Sequence, residues 1–259
     1  MKTALITGAS SGIGKKFAEL LHTYGKFDKL IVIARREDRL LELKNSLPYE
    51  IDVFARDLSK TETFYELKEK LEREKVELDL LINCSGFGKF EAVEKTPLEE
   101  NLNMVDLNCK AVMATCQICI PFMKENSRII NIASVAGFQP IPYINVYGAT
   151  KSFVLHFSRA LNRELKKRKI KVTAVCPFWT KTEFFDRAIN IEEDPVVKKY
   201  AAMYDPRDIV KRAMRDYKKG KSVSLFGFVT KLQLLGVKLM PMSMVMRVWM
   251  SQQKLWGRK

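Results

Sequence analysis

No stretch of this 259-residue chain is rich enough in Pro, Gly and Ser to read as a linker, and no segment repeats another. These absences exclude a string of modules or a solenoid. They leave one large domain over residues 1–259, long enough to bury a substantial core. No apolar run reaches the roughly 18 residues that suggest a membrane-spanning helix. No secretory signal is expected either, because Met1-Lys2 leads straight into Ala4-Leu5-Ile6 and a glycine-rich turn then breaks the apolar stretch. Cysteines are few and odd in number, at 84, 109, 116, 119 and 176. This predicts reduced thiols and a cytoplasmic setting. Cys116 and Cys119 form a CxxC, but no second Cys/His pair stands at ligand spacing. The pair reads as small packing residues, and no metal is expected. Zinc-finger spacing and aromatic–basic RNA motifs are missing as well, so nucleic acid is not an expected partner.

Positive charge, by contrast, is abundant and uneven. The formal net charge is +15, and residues Arg207 to Lys259 carry thirteen Lys/Arg against two Asp. A basic C-terminal portion suits an anionic lipid surface or an acidic ligand, and equally a solvated surface with no partner.

Apolar runs of strand length alternate with segments of helical period. Strands are predicted at Thr3–Thr7, Leu30–Ala34, Ile51–Ala55, Leu78–Asn83, Arg128–Ala133, Val172–Cys176 and Ser222–Phe226. Between them, helices are predicted at Gly12–Tyr24, around Leu40, Leu43 and Leu47, and at Thr61–Glu74, Leu98–Met123, Tyr147–Lys169 and Pro206–Lys219. The strands read as continuous β-branched and Leu runs, as strands buried on both faces do. The alternation predicts an α/β fold: a doubly wound, Rossmann-like parallel sheet of about seven strands with helices on both faces. Ligands of such a sheet bind beyond the carboxyl ends of its strands.

The first strand runs into Thr7-Gly8-Ala9-Ser10-Ser11-Gly12-Ile13-Gly14. Gly8, Gly12 and Gly14 permit a tight turn and a close approach of phosphate to the main chain, and the following helix offers unpaired N–H groups to a pyrophosphate. Ser10, Ser11 and Ile13 belong to the same cradle. Strand two ends in Ile33-Ala34-Arg35-Arg36. A carboxylate at that place would hold the ribose hydroxyls, whereas two guanidiniums favour a 2′-phosphate, so NADP(H) is expected over NAD(H). Glu37 and Asp38 are near enough in sequence to pair with the two Arg and blunt the preference. Asp57 closes strand three, where it either accepts from the adenine amino group or caps a helix, and Leu58 would pack the ring. Asn83, Cys84, Ser85 and Gly86 close strand four, under the adenine-side ribose.

A second group carries proton chemistry. Tyr147 and Lys151 stand four apart on a helix and share a face. A phenol titrates near 10, and a neighbouring ammonium is expected to lower it, giving a general acid for reduction and a general base for oxidation. Ser134 ends strand five, where its hydroxyl can hold a substrate oxygen. Asn108, inside the long helix, is placed to bind a water that links Lys151 to solvent.

TGASSGIG (7–14), Asp57-Leu58, the Asn83-to-Gly86 stretch, Asn108, Ser134 and Tyr147-Gly-Ala-Thr-Lys151 together make residues 2 to 226 resemble the short-chain dehydrogenase/reductase family. The resemblance implies hydride transfer between a nicotinamide and a ketone or secondary alcohol, with Lys151 on the nicotinamide ribose. It adds Pro177, Thr180 and Thr182 as cofactor contacts, and a homo-oligomer, dimer or tetramer. Two positions depart from the family pattern. Cys84-Ser85 stands in the usual Asn-Ala place, and Phe178 stands where a glycine usually follows the proline, so the loop toward Thr182 is expected to take a different path.

Phe178, Trp179, Phe184, Phe185, Met203 and Tyr204, together with Phe138, Ile141 and Tyr143, suggest an aromatic pocket for an apolar, lipid-, acyl- or steroid-like carbonyl compound. Beyond residue 226, Phe228, Leu232, Leu235 and Leu239 recur at helical spacing, Pro241 interrupts, and a Met-rich stretch leads to Trp256, Arg258 and Lys259. This extension (227–259) has three readings: a cap on the pocket, a subunit contact, or an amphipathic element on an anionic membrane. The rival to an enzyme is a dinucleotide-binding sensor or scaffold, associated with a membrane surface through this tail.

Overall fold

The computed structural model describes residues 1–189 and 195–257. Part of the aromatic segment (190–194) and the terminal Arg258 and Lys259 therefore lie outside the described residues. Seven strands form one parallel sheet: β1 (Thr3–Thr7), β2 (Lys29–Ala34), β3 (Glu50–Ala55), β4 (Leu78–Asn83), β5 (Met123–Ile132), β6 (Lys171–Val175) and β7 (Val223–Ser224). Their order is β3-β2-β1-β4-β5-β6-β7. The chain reverses its winding direction after β3, so the β1/β4 boundary opens the crevice where such sheets bind ligands.

Strand side chains alternate between two helix layers. Ala4, Ile6, Leu30 and Val32 face α1 (Gly12–Leu20), α2 (Glu37–Ser46) and α8 (Pro206–Lys218), packing with Phe17, Leu40, Leu43, Ile209 and Met214. Leu5, Ile31, Ile33 and Leu81 face the other layer, which holds α3 (Glu62–Arg73), α5 (Ala111–Cys119) and α6 (Asn145–Glu164). There they meet Leu67, Leu71, Val112, Val154 and Leu155. Cys116 and Cys119 are fully buried in this layer, and burial pushes both thiols well above the ordinary cysteine range.

Two expected elements differ in form. β5 begins at Met123 rather than Arg128. Its pairing with β4 slips between Leu78 and Leu80, and Asn126 takes a φ of 65°. The polar Lys124-Glu125-Asn126-Ser127 run forms the bulge and gives no strand signal of its own. The long helix predicted from Leu98 to Met123 is broken. α4 (Leu98–Val105) passes through a wider π turn at Asp106–Lys110 into α5, and Ile120–Phe122 forms a 3-10 turn. Such a turn re-aims a side chain inward, here that of Asn108.

Pro241 separates α9 (Phe228–Leu239) from α10 (Met242–Gln252), as its missing N–H requires. The short α7 (Phe184–Ala188) falls in a region read as irregular from sequence. A third apolar cluster lies beyond the strand ends. In it Phe90, Ile141 and Ile144 meet Ala188, Val196 and Val197 together with Trp249 and Leu255 from the tail.

Candidate active site

One cleft of about 700 Å³ runs along the carboxyl edge of the sheet. At its nucleotide end, Gly8 takes φ +67°. A Cβ on Gly14 would lie 2.2 Å from the Gly8 carbonyl oxygen, so the turn folds back on the start of α1 with no room for a side chain. Ser11 caps that helix without a side-chain bond, which leaves the first N–H groups facing the cleft. Ser10, Ser11, Gly12, Ile13, Arg35, Arg36, Asp57, Leu58, Ser85 and Gly86 line the same end.

The partners of the two arginines differ from the sequence expectation. Arg35 stands 3.9 Å from Asp57. Arg36 donates to Ser10 Oγ at 3.2 Å and pairs with Glu183 at 3.0 Å, not with Glu37 or Asp38, which open α2 instead. Asp57 accepts from the Ser59 N–H at 2.9 Å within a local turn, and α3 is entered four residues later at Thr61, so Asp57 does not cap it. Asn83 needs correction as a cleft residue. Strand alternation turns its side chain into the interior, where Nδ2 donates to Asn131 Oδ1 at 2.9 Å. Cys84 takes its place in the lining.

At the other end, Ser134, Tyr147 and Lys151 converge. Ser134 leaves β5 with extended backbone, and its Oγ accepts from the Ala136 N–H at 3.1 Å and bonds the Tyr147 phenol. Lys151 is buried, donates from Nζ to the Ile132 carbonyl at 2.9 Å, and lies 5.7 Å from the centre of the Tyr147 ring. Burial lowers Lys151 to about 8. The phenol departs from expectation: burial outweighs every opposing effect and raises it to about 12, with the Ser134 bond pulling the other way. At neutral pH burial thus favours the neutral phenol.

Asn108 is fully buried and does not line the cleft. Its Oδ1 accepts from the Phe87 N–H at 3.0 Å, while Nδ2 donates to the Phe87 carbonyl and to Thr150 Oγ1, each at 2.9 Å. It clamps the loop after β4 to the helix that carries Tyr147 and Lys151.

Pro177, Thr180 and Thr182 line the cleft. Phe178 takes no left-handed conformation, so the loop runs past it without strain while Pro177 still accepts from the Val135 N–H at 3.0 Å. Phe178, Trp179, Phe184, Phe185 and Ile141 form the apolar wall. Tyr204 instead packs edge-on against Phe226, and Phe138 packs against the core beneath the sheet.

Sequence reasoning missed Phe90, whose ring stands 6.1 Å from that of Tyr147, and Tyr200, 5.3 Å from Trp179. It also missed the polar groups that the tail brings: Gln233 from α9, Gln252 from α10, and Gln253. Trp249 Nε1 donates to the Pro142 carbonyl at 3.0 Å, and Gln253 Oε1 accepts from the N–H groups of Lys198 and Lys199. The tail thus caps the pocket, the first of its three readings.

A glycine cradle at a helix start and a Ser–Tyr–Lys group at the other end of one cleft define a dinucleotide-dependent oxidoreductase on a doubly wound sheet. The short-chain dehydrogenase model matches residues 2–192, and the chain belongs to that family. An uncharacterized oxidoreductase of Staphylococcus aureus (strain N315) is 32% identical over 227 residues, which are 86% of this chain and 94% of that one. A short-chain dehydrogenase from Sphingobium yanoikuyae in complex with NADPH superposes with a TM-score of 0.76 at 28% identity, covering 91% of this chain and 92% of the other. A bulky-bulky ketone specific alcohol dehydrogenase from Comamonas testosteroni gives a TM-score of 0.72 at 31% identity, with 92% of each chain covered.

Proposed function

We propose that the protein is an NADP(H)-dependent reductase of an apolar ketone, running the reverse oxidation when product accumulates. The observation that carries this reading is the Tyr147 phenol, held protonated by burial, bonded to Ser134, and set in an aromatic wall above a buried ammonium. The cradle fits a dinucleotide, since Gly8 and Gly14 leave the main chain bare where a pyrophosphate needs it. Hydride chemistry is what a bound nicotinamide supplies. Ser134 holds the substrate oxygen, and Tyr147 gives it a proton as negative charge develops there. Lys151 binds the ribose hydroxyls, and its charge stabilises the phenolate left behind. Asn108 acts as a positioning residue through Phe87 and Thr150. Arg36 and Arg35 receive the 2′-phosphate. A panel of aryl and long-chain ketones should consume NADPH faster than NADH. Faster turnover with NADH sinks the NADP(H) preference, and silence across the panel sinks the substrate class.

The outward faces of the tail favour a second role, at an anionic membrane. Phe228 (79% exposed), Leu232, Leu235 and Leu239 form one stripe of α9, opposite the buried Thr230 and Val237. At 3.6 residues per turn, Lys231 and Lys238 border that stripe. Residues 217–259 contain nine Lys/Arg and no acid. Among the described residues no helix is long and apolar enough to cross a membrane. Vesicles containing phosphatidylglycerol should sediment the protein, and Leu232→Ser/Leu235→Ser should weaken that binding at unchanged activity. Equal recovery with neutral vesicles or with none contradicts the role. A homo-oligomer is also proposed, with Leu98, Leu102 and Val105 exposed along one face of α4 as a contact surface.

A further inference from the structure

A carboxylate is a strange companion for a guanidinium that is to receive a phosphate, as Arg36 is. Glu183 Oε2 lies 3.0 Å from Arg36 Nη1 and Oε1 lies 2.5 Å from Arg39 Nη1, across a sequence separation of 147 residues for the first pair. Glu183 sits on the segment that leaves β6, on the opposite wall of the cleft from β2. Its neighbours reach the rest of the site. A Cβ on Gly12 would meet the Thr182 side chain at 3.4 Å, so Thr182 lies over the glycine turn. The Phe184 ring stands 5.4 Å from that of Tyr147. Three consecutive side chains therefore tie a strap to the phosphate cradle, to the guanidinium pair and to the catalytic ring.

We propose that Glu183 is a latch: it occupies Arg36, with Arg39 as its second anchor, until a 2′-phosphorylated ribose takes Arg36, and its release frees the strap over Tyr147. The inference rests on the NADP(H) reading above. A phosphate and a carboxylate compete for the same donors, and their like charges oppose sharing them. The pair is partly exposed, with Arg36, Arg39 and Glu183 side chains at 41%, 37% and 46%, so it is weak enough for a dianion to displace. An unphosphorylated ribose brings no charge to do so. Glu183 thereby lowers the apparent affinity for the phosphorylated cofactor and makes its arrival, unlike that of NADH, a signal to the substrate side.

Calorimetric titration of the full chain and of Glu183→Gln with NADPH and NADH tests the first half. The variant should bind NADPH about three- to tenfold more tightly, with NADH changed less than about twofold. Hydrogen exchange tests the second half. Adenosine 2′,5′-bisphosphate, which takes Arg36 without reaching the Tyr147 end of the strap, should speed amide exchange over 182–188 more than 5′-ADP does. In Glu183→Gln these amides should exchange quickly before any ligand is added. A wild type that prefers NADPH but an unchanged NADPH/NADH ratio in the variant overturns the latch alone. Equal exchange with the two adenosine probes overturns the release of the strap. A wild type that prefers NADH overturns the cofactor reading, and the latch with it.

Discussion

Tyr147→Phe should lower the rate of ketone reduction by about 10²- to 10⁴-fold, the range that general acid catalysis supplies. The substitution removes one oxygen. It keeps the ring contacts with Phe184 at 5.4 Å and Phe90 at 6.1 Å, so the pocket wall stays in place. It leaves the glycine turn, Arg36 and Lys151 untouched, and calorimetry should show NADPH binding within about twofold of wild type. The split between a lost rate and a kept affinity separates catalysis from a sensing role, which would need no phenol. Lys151→Met should lose turnover as well, but with weaker cofactor binding, because Lys151 serves both the proton and the ribose. A Tyr147→Phe enzyme that retains a tenth of its activity would mean that another group delivers the proton.

The second large effect is structural. Gly14→Ala should destabilise the fold by about 3 kcal/mol, near the upper end for overpacking, because the new methyl meets backbone rather than a movable side chain. The obstacles are the Gly8 carbonyl oxygen at 2.2 Å and carbon at 2.8 Å, with Cys84 Cβ at 3.2 Å. The melting temperature should fall by roughly 6 to 12 °C and dinucleotide binding should be lost as the turn shifts. Gly148→Ala is the contrast. It lies inside α6, where an added Cβ finds only the Ala136 carbonyl oxygen at 3.5 Å. Better helix propensity should raise stability there by about 0.5 to 1 kcal/mol. Thermal unfolding of the two variants side by side decides it, and similar melting temperatures would refute the packing account of the cradle.

The strands and the two-layer core were legible because continuous apolar runs leave few alternatives. Leu30-Ile31-Val32-Ile33 can bury both faces only within a covered parallel sheet. Ser134, Tyr147 and Lys151 were legible for the same local reason, since each stands at a strand end or on one helix face. What escaped was decided by tertiary contact. Nothing local announces the π turn that hides Asn108, nor that Arg36 prefers Glu183, far along the chain, to Glu37 next door. Asn83 was misplaced because one step along a strand exchanges cleft for core. The tail's glutamines entered the site only because Trp249 and Gln253 pin the tail back onto the pocket. Burial also works against the expected acidification of the phenol, a balance that spacing along a helix does not reveal.

The pH dependence of ketone reduction at saturating NADPH tests the proton device most directly. Lys151 keeps its charge below about 8 and loses it above, whereas Tyr147 holds its proton until about 12. The rate should be level at lower pH and then fall, approaching about tenfold per unit above pH 8, as the ammonium that stabilises the nascent phenolate titrates away. A rate that climbs through pH 8, or stays flat to pH 10, would contradict the pairing of phenol and ammonium.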